Sequence, residues 1–321
     1  MNVEEFSRAF QETVDEVSRV LLGQREVIEH VLVAMLSRGH VLIEGVPGLG
    51  KTLLVRALGH VLGCTFRRIQ FTPDLMPSDV TGNNVYNTKA GEFEFVPGPV
   101  FTQLLLADEI NRAPAKTQAA LLEAMQERSV TIDGTTRRLP EPFLVLATQN
   151  PIDSQGTYPL PEAQLDRFLL KVHVGYPTPD VERGILKSYL DGFDPSDLAA
   201  LQLRCILDVD RLLAMQYVLR TLTVHDELLD YITRIVTRTR AHASVYVGAS
   251  PRASVALLNT ARAAAAAAGR SFIVPDDVKA YAHGVLRHRL ILHPDAELEN
   301  VSADDVIEGI LRETPVPKSA A

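Results

Sequence analysis

One turn restricts the fold of this chain more than any other feature. Gly45-Val46-Pro47-Gly48-Leu49-Gly50-Lys51-Thr52 satisfies the pattern G-x-x-x-x-G-K-[ST], between the apolar run Val41-Leu42-Ile43 and a helical pattern over 53–62 that opens with Leu53. A strand that enters a glycine-rich turn and leaves as a helix presents backbone N–H groups and the positive end of the peptide dipoles to an anion. Side chains at the glycine positions would keep phosphate oxygens away from those groups. In this geometry Lys51 reaches the β- and γ-phosphates of ATP, and Thr52 offers its hydroxyl to Mg2+.

Apolar runs at 69–71, 104–107, 143–147 and 169–174 read as further strands, with helical patterns such as 117–127 between them. Strands that alternate with helices build a parallel, doubly wound α/β sheet whose ligands sit at the carboxyl ends of the strands. The run 104–107 delivers Asp108 and Glu109 to such an end. Asp108 is placed to hold Mg2+ through its outer coordination shell, and Glu109 to orient and polarise an attacking water. The run 143–147 leads to Thr148-Gln149-Asn150, where Asn150 suits a neutral group that positions the γ-phosphate or the water. Val3, Phe6, Phe10, Val14, Val17 and Leu21 recur at helical spacing before Gly23, and a second apolar run, 27–36, ends before Gly39.

A chain of 321 residues has room for two domains, and the texture changes after Gly175-Tyr176-Pro177-Thr178-Pro179. Beyond it, 181–190, 209–219, 228–240, 252–268, 277–286 and 304–311 read as helices with no strand run among them. The expected division is an α/β nucleotide-binding domain over 1–175 and an all-α domain over 176–321, the latter ending in a flexible tail from Thr314. Ser250-Pro251 and Pro275-Asp276-Asp277 mark helix starts. The alanines of 263–268 allow close helix packing. Arg252 falls at a helix N-terminus, where a cation opposes the dipole and calls for an anion beside it.

Thirty-two Lys and Arg against forty Asp and Glu give a net charge of −8, so no global basic field draws the chain to nucleic acid or anionic lipid. The two cysteines, Cys64 and Cys205, form no C-x-x-C pair and read as buried thiols of a reducing cytoplasm. The acidic residues in 1–22 and the lack of a long apolar run argue against secretion and membrane insertion. His283, His288 and His293 are five apart, a spacing that does not stack ligands on one helix face.

Taken together, the P-loop, Asp108-Glu109-Ile110-Asn111-Arg112, Ala147-Thr148-Gln149-Asn150-Pro151, the run from Gly156 through Leu165-Asp166-Arg167-Phe168, and Gly248-Ala249-Ser250-Pro251-Arg252 resemble the MoxR family of AAA+ ATPases over about residues 20–295. The resemblance implies that Asn150 is sensor 1, Arg167 the arginine finger and Arg252 sensor 2 on a helical lid. It also implies a five-stranded α/β domain, a hexameric ring and chaperone-like action on partner proteins, often ones with von Willebrand factor A domains. The alternatives are a helicase-like motor stimulated by nucleic acid, a metal-chelatase-like ATPase subunit and a non-catalytic scaffold. Acidity disfavours the first, and the presence of Lys51 and Glu109 the last. The segment 83–97 reads as a protruding hairpin with Phe93 and Phe95 on one face, where they either grip a partner or join the core.

Overall fold

The computed structural model describes residues 1–46, 48–150, 157–195, 197 and 201–317. Its strands are β1 (Val41–Gly45), β2 (Phe66–Gln70), β3 (Gly82–Asn87), β4 (Glu92–Pro97), β5 (Leu104–Asp108), β6 (Ser129–Ile132), β7 (Thr135–Arg138), β8 (Leu144–Gln149), β9 (Leu170–Val174), β10 (Val245–Val247) and β11 (Ile291–Leu292). Its helices are α1 (Val3–Ser18), α2 (Arg25–Leu36), α3 (Lys51–Val61), α4 (Pro77–Thr81), α5 (Ala115–Glu127), α6 (Glu162–Leu165), α7 (Pro179–Leu190), α8 (Val209–Val218), α9 (Asp226–Ala241), α10 (Pro251–Ala267), α11 (Pro275–Leu286), α12 (Pro294–Leu298) and α13 (Ala303–Glu313).

Five strands form one parallel sheet in the order β2-β5-β8-β1-β9. The near-continuous apolar runs of its central strands follow from burial on both faces. Val41, Ile43, Leu104, Leu106, Leu144 and Leu146 join a core shared with α1, α2 and the C-terminal helices. Leu42, Leu105, Ala107, Val145 and Ala147 face a second core that includes Leu121, Leu122 and Met125 of α5. Each such Val, Ile or Leu side chain contributes about 1.5–3 kcal/mol when fully buried. Strand β2 starts at Phe66, earlier than the apolar count at 69–71 indicates. It is an edge strand, and the exposed Arg67 and Arg68 conceal its start.

The C-terminal part is helical, with one addition to the expected pattern: β10 and β11 pair as an antiparallel ribbon. Strands of three and two residues are too short to show a period. Helix α10 buries Ala261, Ala263, Ala265 and Ala266, so its alanines serve packing. Ser7 Oγ donates to Ala267 O at 2.7 Å and Gln216 Nε2 to Met35 O at 2.9 Å, so the N-terminal helices share a core with the C-terminal ones. Cys64 is buried, which pushes its thiol up to about 12. Cys205, expected inside, is exposed, because it lies in the irregular stretch before α8. Thr314 docks, donating through Oγ1 to Ile310 O, whereas Pro315 and Val316 are exposed and 318–321 lie outside the described residues. No helix among the described residues is long and apolar enough to cross a membrane.

The segment 83–97 is a hairpin, with Tyr86 opposite Phe93 and Asn84 opposite Phe95. Phe93 is 71% exposed, and its ring meets only that of Tyr86 edge-on among the described aromatic pairs. Phe95 is half-buried against Phe101, with the Arg137 guanidinium 4.0 Å from its ring centroid. Neither ring enters the two main cores.

Candidate active site

The turn after β1 lies in the middle of the sheet, between β8 and β9, and its N–H groups lead into α3. Gly48 and Gly50 have φ of +86° and +74°, a left-handed backbone that strains any other residue there. Gly50 caps α3 without a side-chain hydrogen bond, and the first turn holds no acid. The helix N-terminus therefore has open N–H donors and no built-in anion, which is the arrangement a phosphate group completes. Lys51 Nζ donates to Gly45 O at 2.6 Å, inside the turn. Burial pushes the Lys51 ammonium below its ordinary range, and the carboxylates of Asp108, Glu109 and Glu44 oppose that shift.

A cleft of about 550 Å3 opens over this turn, and Gly45, Gly48, Gly50, Lys51, Thr52 and Leu53 line it. Asp108, Glu109 and Asn150 reach the same cleft from the carboxyl ends of β5 and β8. Leu49 lines an adjoining cavity, Val46 is half-buried and lines neither, and Pro47, Pro151 and Gly156 lie outside the described residues. Thr148 Oγ1 donates to Asp108 Oδ1 at 2.6 Å and accepts from the Glu109 N–H at 2.8 Å. Glu109 has φ +54°, sparsely populated for a non-glycine residue, and the Thr148 bond helps hold it there. Its Oε2 accepts from Gln70 Nε2 at 2.8 Å and pairs with Arg112 Nε at 3.2 Å. Arg68 donates to Asp108 Oδ2 at 2.7 Å and neutralises it. The hydrogen bond from His173, with the charge of Lys171, outweighs burial and holds Glu44 down at about 2.

Thr148, Gln70 and Arg68 are site residues that sequence reasoning does not single out. Parallel register places Gln70 beside Asp108 and Ala107 beside Ala147, and that register carries the signal. The adjoining cavity, about 300 Å3, is lined among others by Val20, Leu21, Leu49, Ile185 and Phe193, an apolar surface suited to a flat base. It shares Gly48, Gly50, Leu53 and Tyr189 with the larger cleft.

Arg167 and Arg252 do not line the cleft of their own chain. Arg167 Nη1 donates to Leu122 O at 3.0 Å, and its buried Nε has no partner among the described residues. Arg252, expected from the sequence to meet a phosphate as its anion, stands with its Nη1 3.7 Å from Asp166 Oδ2, a carboxylate of its own chain. Asp166 also accepts from Ser250 Oγ at 3.2 Å and from Arg289 Nε at 2.7 Å. Ser250 thus spends its hydroxyl on Asp166 and makes no side-chain cap.

Residues 40–170 match the ATPase family associated with various cellular activities (AAA), and 237–310 match the AAA lid domain. Chaperone MoxR1 of Mycobacterium tuberculosis is 47% identical over 317 residues, covering 96% of this chain and 82% of that protein. Protein MoxR of Paracoccus denitrificans is 31% identical, with 98% of each chain covered. A crystal structure from Cytophaga hutchinsonii, of a protein described as a candidate ATPase, superposes with a TM-score of 0.91 at 42% identity, covering 98% of this chain and 97% of that one. Relatives that align over most of their length and a family match that spans the glycine-rich turn lead to one conclusion: the chain belongs to the MoxR family of AAA+ ATPases and is an ATP hydrolase.

Proposed function

We propose that the chain hydrolyses ATP with Mg2+ in the cleft over α3 and uses the cycle to remodel or mature partner proteins. The observation that carries this reading is the convergence of Lys51, Thr52, Asp108, Glu109 and Asn150 on one cleft at an uncapped helix N-terminus. The donor set fits the metal, since Mg2+ takes one or two carboxylates together with phosphate oxygens and water. Thr52 and Asp108 would hold it, and when bound it would neutralise charge that develops on the phosphates. Lys51 binds the β- and γ-phosphates, the N–H groups of the turn cradle them, and the base lies in the adjoining apolar cavity. Glu109, fixed by Gln70, Arg112 and Thr148, takes a proton from the attacking water. Asn150 orients that water or the γ-phosphate.

The reading extends to the assembly. Residues 1–175 act as the nucleotide-binding domain and 176–321 as the lid, six copies form a ring, Arg167 serves the nucleotide of a neighbouring subunit, and Arg252 couples the lid to the nucleotide. The placement of Arg167 away from its own cleft supports its role in trans. The partner is a protein with a von Willebrand factor A domain, as the family resemblance implies, and the exposed Phe93 supports a gripping role for the hairpin.

The test is a pair of variants. Glu109→Gln should bind ATP normally and lower kcat by about 10²–10⁴-fold, whereas Lys51→Ala should weaken binding itself. Nucleotide titration alongside steady-state hydrolysis separates the two. Equal loss of binding in both variants would remove the role given to Glu109.

A further inference from the structure

Another concavity, about 280 Å3, opens where the end of α2 meets the turn after α8 and the middle of α10. Arg38, Arg220 and Arg262 line it with Ser37, Gln216 and Asn259, and no Asp or Glu is among its lining residues. Three guanidiniums around one cavity are unexpected in a chain of net charge −8. Arg38 Nη2 meets Glu141 Oε1 at 2.7 Å, with both side chains partly exposed. Arg220 and Arg262 have no hydrogen bond or ion pair among the described residues, and the Nε of Arg262 is buried without a partner. A buried donor left open is costly unless something fills it. Arg128 donates to Arg38 O from one side and adds a further positive charge.

The arginines are not needed to close α2. The Ser37 N–H donates to Val33 O, the Gly39 N–H to Ala34 O and Gln216 Nε2 to Met35 O, so these three carbonyls of the last turn are already occupied. We propose that this cavity binds a phosphate ester of small-molecule size. One forked guanidinium satisfies a carboxylate, whereas the guanidiniums of Arg220 and Arg262, lining one cavity beside the Glu141-paired Arg38, match the several oxygens of a phosphate. The Asn259 amide offers further donors beside them. At about 280 Å3 the volume falls just below the usual range of small-molecule sites, about 300–1,000 Å3, and suits a phosphate with a compact body. Its place is regulatory: α2 leads into β1 and the glycine-rich turn, and α10 begins beside Arg252, so a ligand there would tie the two parts of the chain together.

The experiment titrates inorganic pyrophosphate by calorimetry into full-length Lys51→Ala protein, which weakens the nucleotide cleft, and into the same protein carrying Arg220→Gln with Arg262→Gln. A parallel arm measures sedimentation with phosphatidylcholine vesicles, with and without phosphatidic acid. Arg220→Gln alone, at an exposed side chain, guards against a folding defect in the double substitution. We expect saturable binding with Kd below about 1 mM, weakened at least about ten-fold by the paired substitution and partly by the single one. Arginine-dependent binding to pyrophosphate assigns a soluble ester. Arginine-dependent binding only to phosphatidic acid vesicles assigns a lipid headgroup. Binding in neither arm, or binding that the substitutions leave unchanged, overturns the proposal.

Discussion

Thr148 ties two adjacent acidic residues to one strand end. Its hydroxyl hydrogen goes to Asp108 Oδ1 and its oxygen accepts the Glu109 N–H, so a single side chain sets the rotamer of one acid and the backbone of the next. Valine has the same shape without the hydroxyl and would leave the Glu109 N–H without its partner. Thr148→Val is expected to lower kcat by about 10–100-fold, the usual cost of losing a group that orients an active-site ligand, while ATP affinity changes less than about three-fold. Steady-state kinetics and a fluorescent-nucleotide titration check this. An unchanged kcat would show that Glu109 holds its position by itself. Lys51, Thr52, Asp108 and Glu109 were legible in the sequence because each sits at a fixed offset from a turn or strand end. Gln70 and Thr148 were not, since their partners lie about 40 positions away along the chain.

Two buried imidazoles set how the elements respond to acid. His40, just before β1, accepts from the Val145 N–H at Nδ1 and donates from Nε2 to Met125 O, so the neutral ring links the sheet to α5. Burial depresses its pKa to about 4, and burial also holds that of His288, on Phe168 O, well below the ordinary value. A histidine whose folded pKa is depressed binds fewer protons folded than unfolded, so stability is full above about pH 6.5 and falls as pH drops toward 4. The slope approaches about 1.4 kcal/mol per pH unit for each ring. Urea unfolding at pH 7.5, 6 and 5 should show this loss, and His40→Gln should flatten it even if stability at pH 7.5 is lower. A curve that stays level down to pH 5 would contradict the buried neutral state. The hairpin of β3 and β4 makes a different prediction. Phe93→Ala should stay within about 0.5 kcal/mol of wild type, as exposed positions do. Phe95→Ala should lose about 1 kcal/mol through its contacts with Phe101 and Arg137. Denaturant midpoints distinguish them, and equal large losses would place both rings in the core. Alternation in Glu92-Phe93-Glu94-Phe95 announced the shared face, but only the fold shows that one ring is exposed beside Tyr86 and the other leans on Phe101.

At the scale of the whole molecule, one cleft gathers the glycine turn, Lys51, Thr52, Asp108, Glu109 and Asn150, while two arginines expected to serve a nucleotide lie elsewhere. If Arg167 completes a neighbour's site, mixing Arg167→Ala with Lys51→Ala protein should restore part of the lost turnover, because some mixed interfaces combine an intact cleft with an intact finger. A trans arginine contributes about 10³–10⁵ in rate, so even a minority of such interfaces is measurable. Absence of rescue, with both variants folded by circular dichroism, would leave Arg167 as the staple to Leu122 O that the isolated chain shows. The sequence alone determined the presence of the five sheet strands, the glycine turn with its helix, the largely helical C-terminal part and the order of the motifs. All of these are written in spacings of a few residues, where side-chain period and backbone freedom act locally. Tertiary structure decided the rest. Register across parallel strands brought Gln70 and Thr148 to the two acids, packing of distant helices gathered Arg38, Arg220 and Arg262, and Asp166 took Arg252. Such convergence depends on how the whole chain closes its cores, and no short window of residues encodes it.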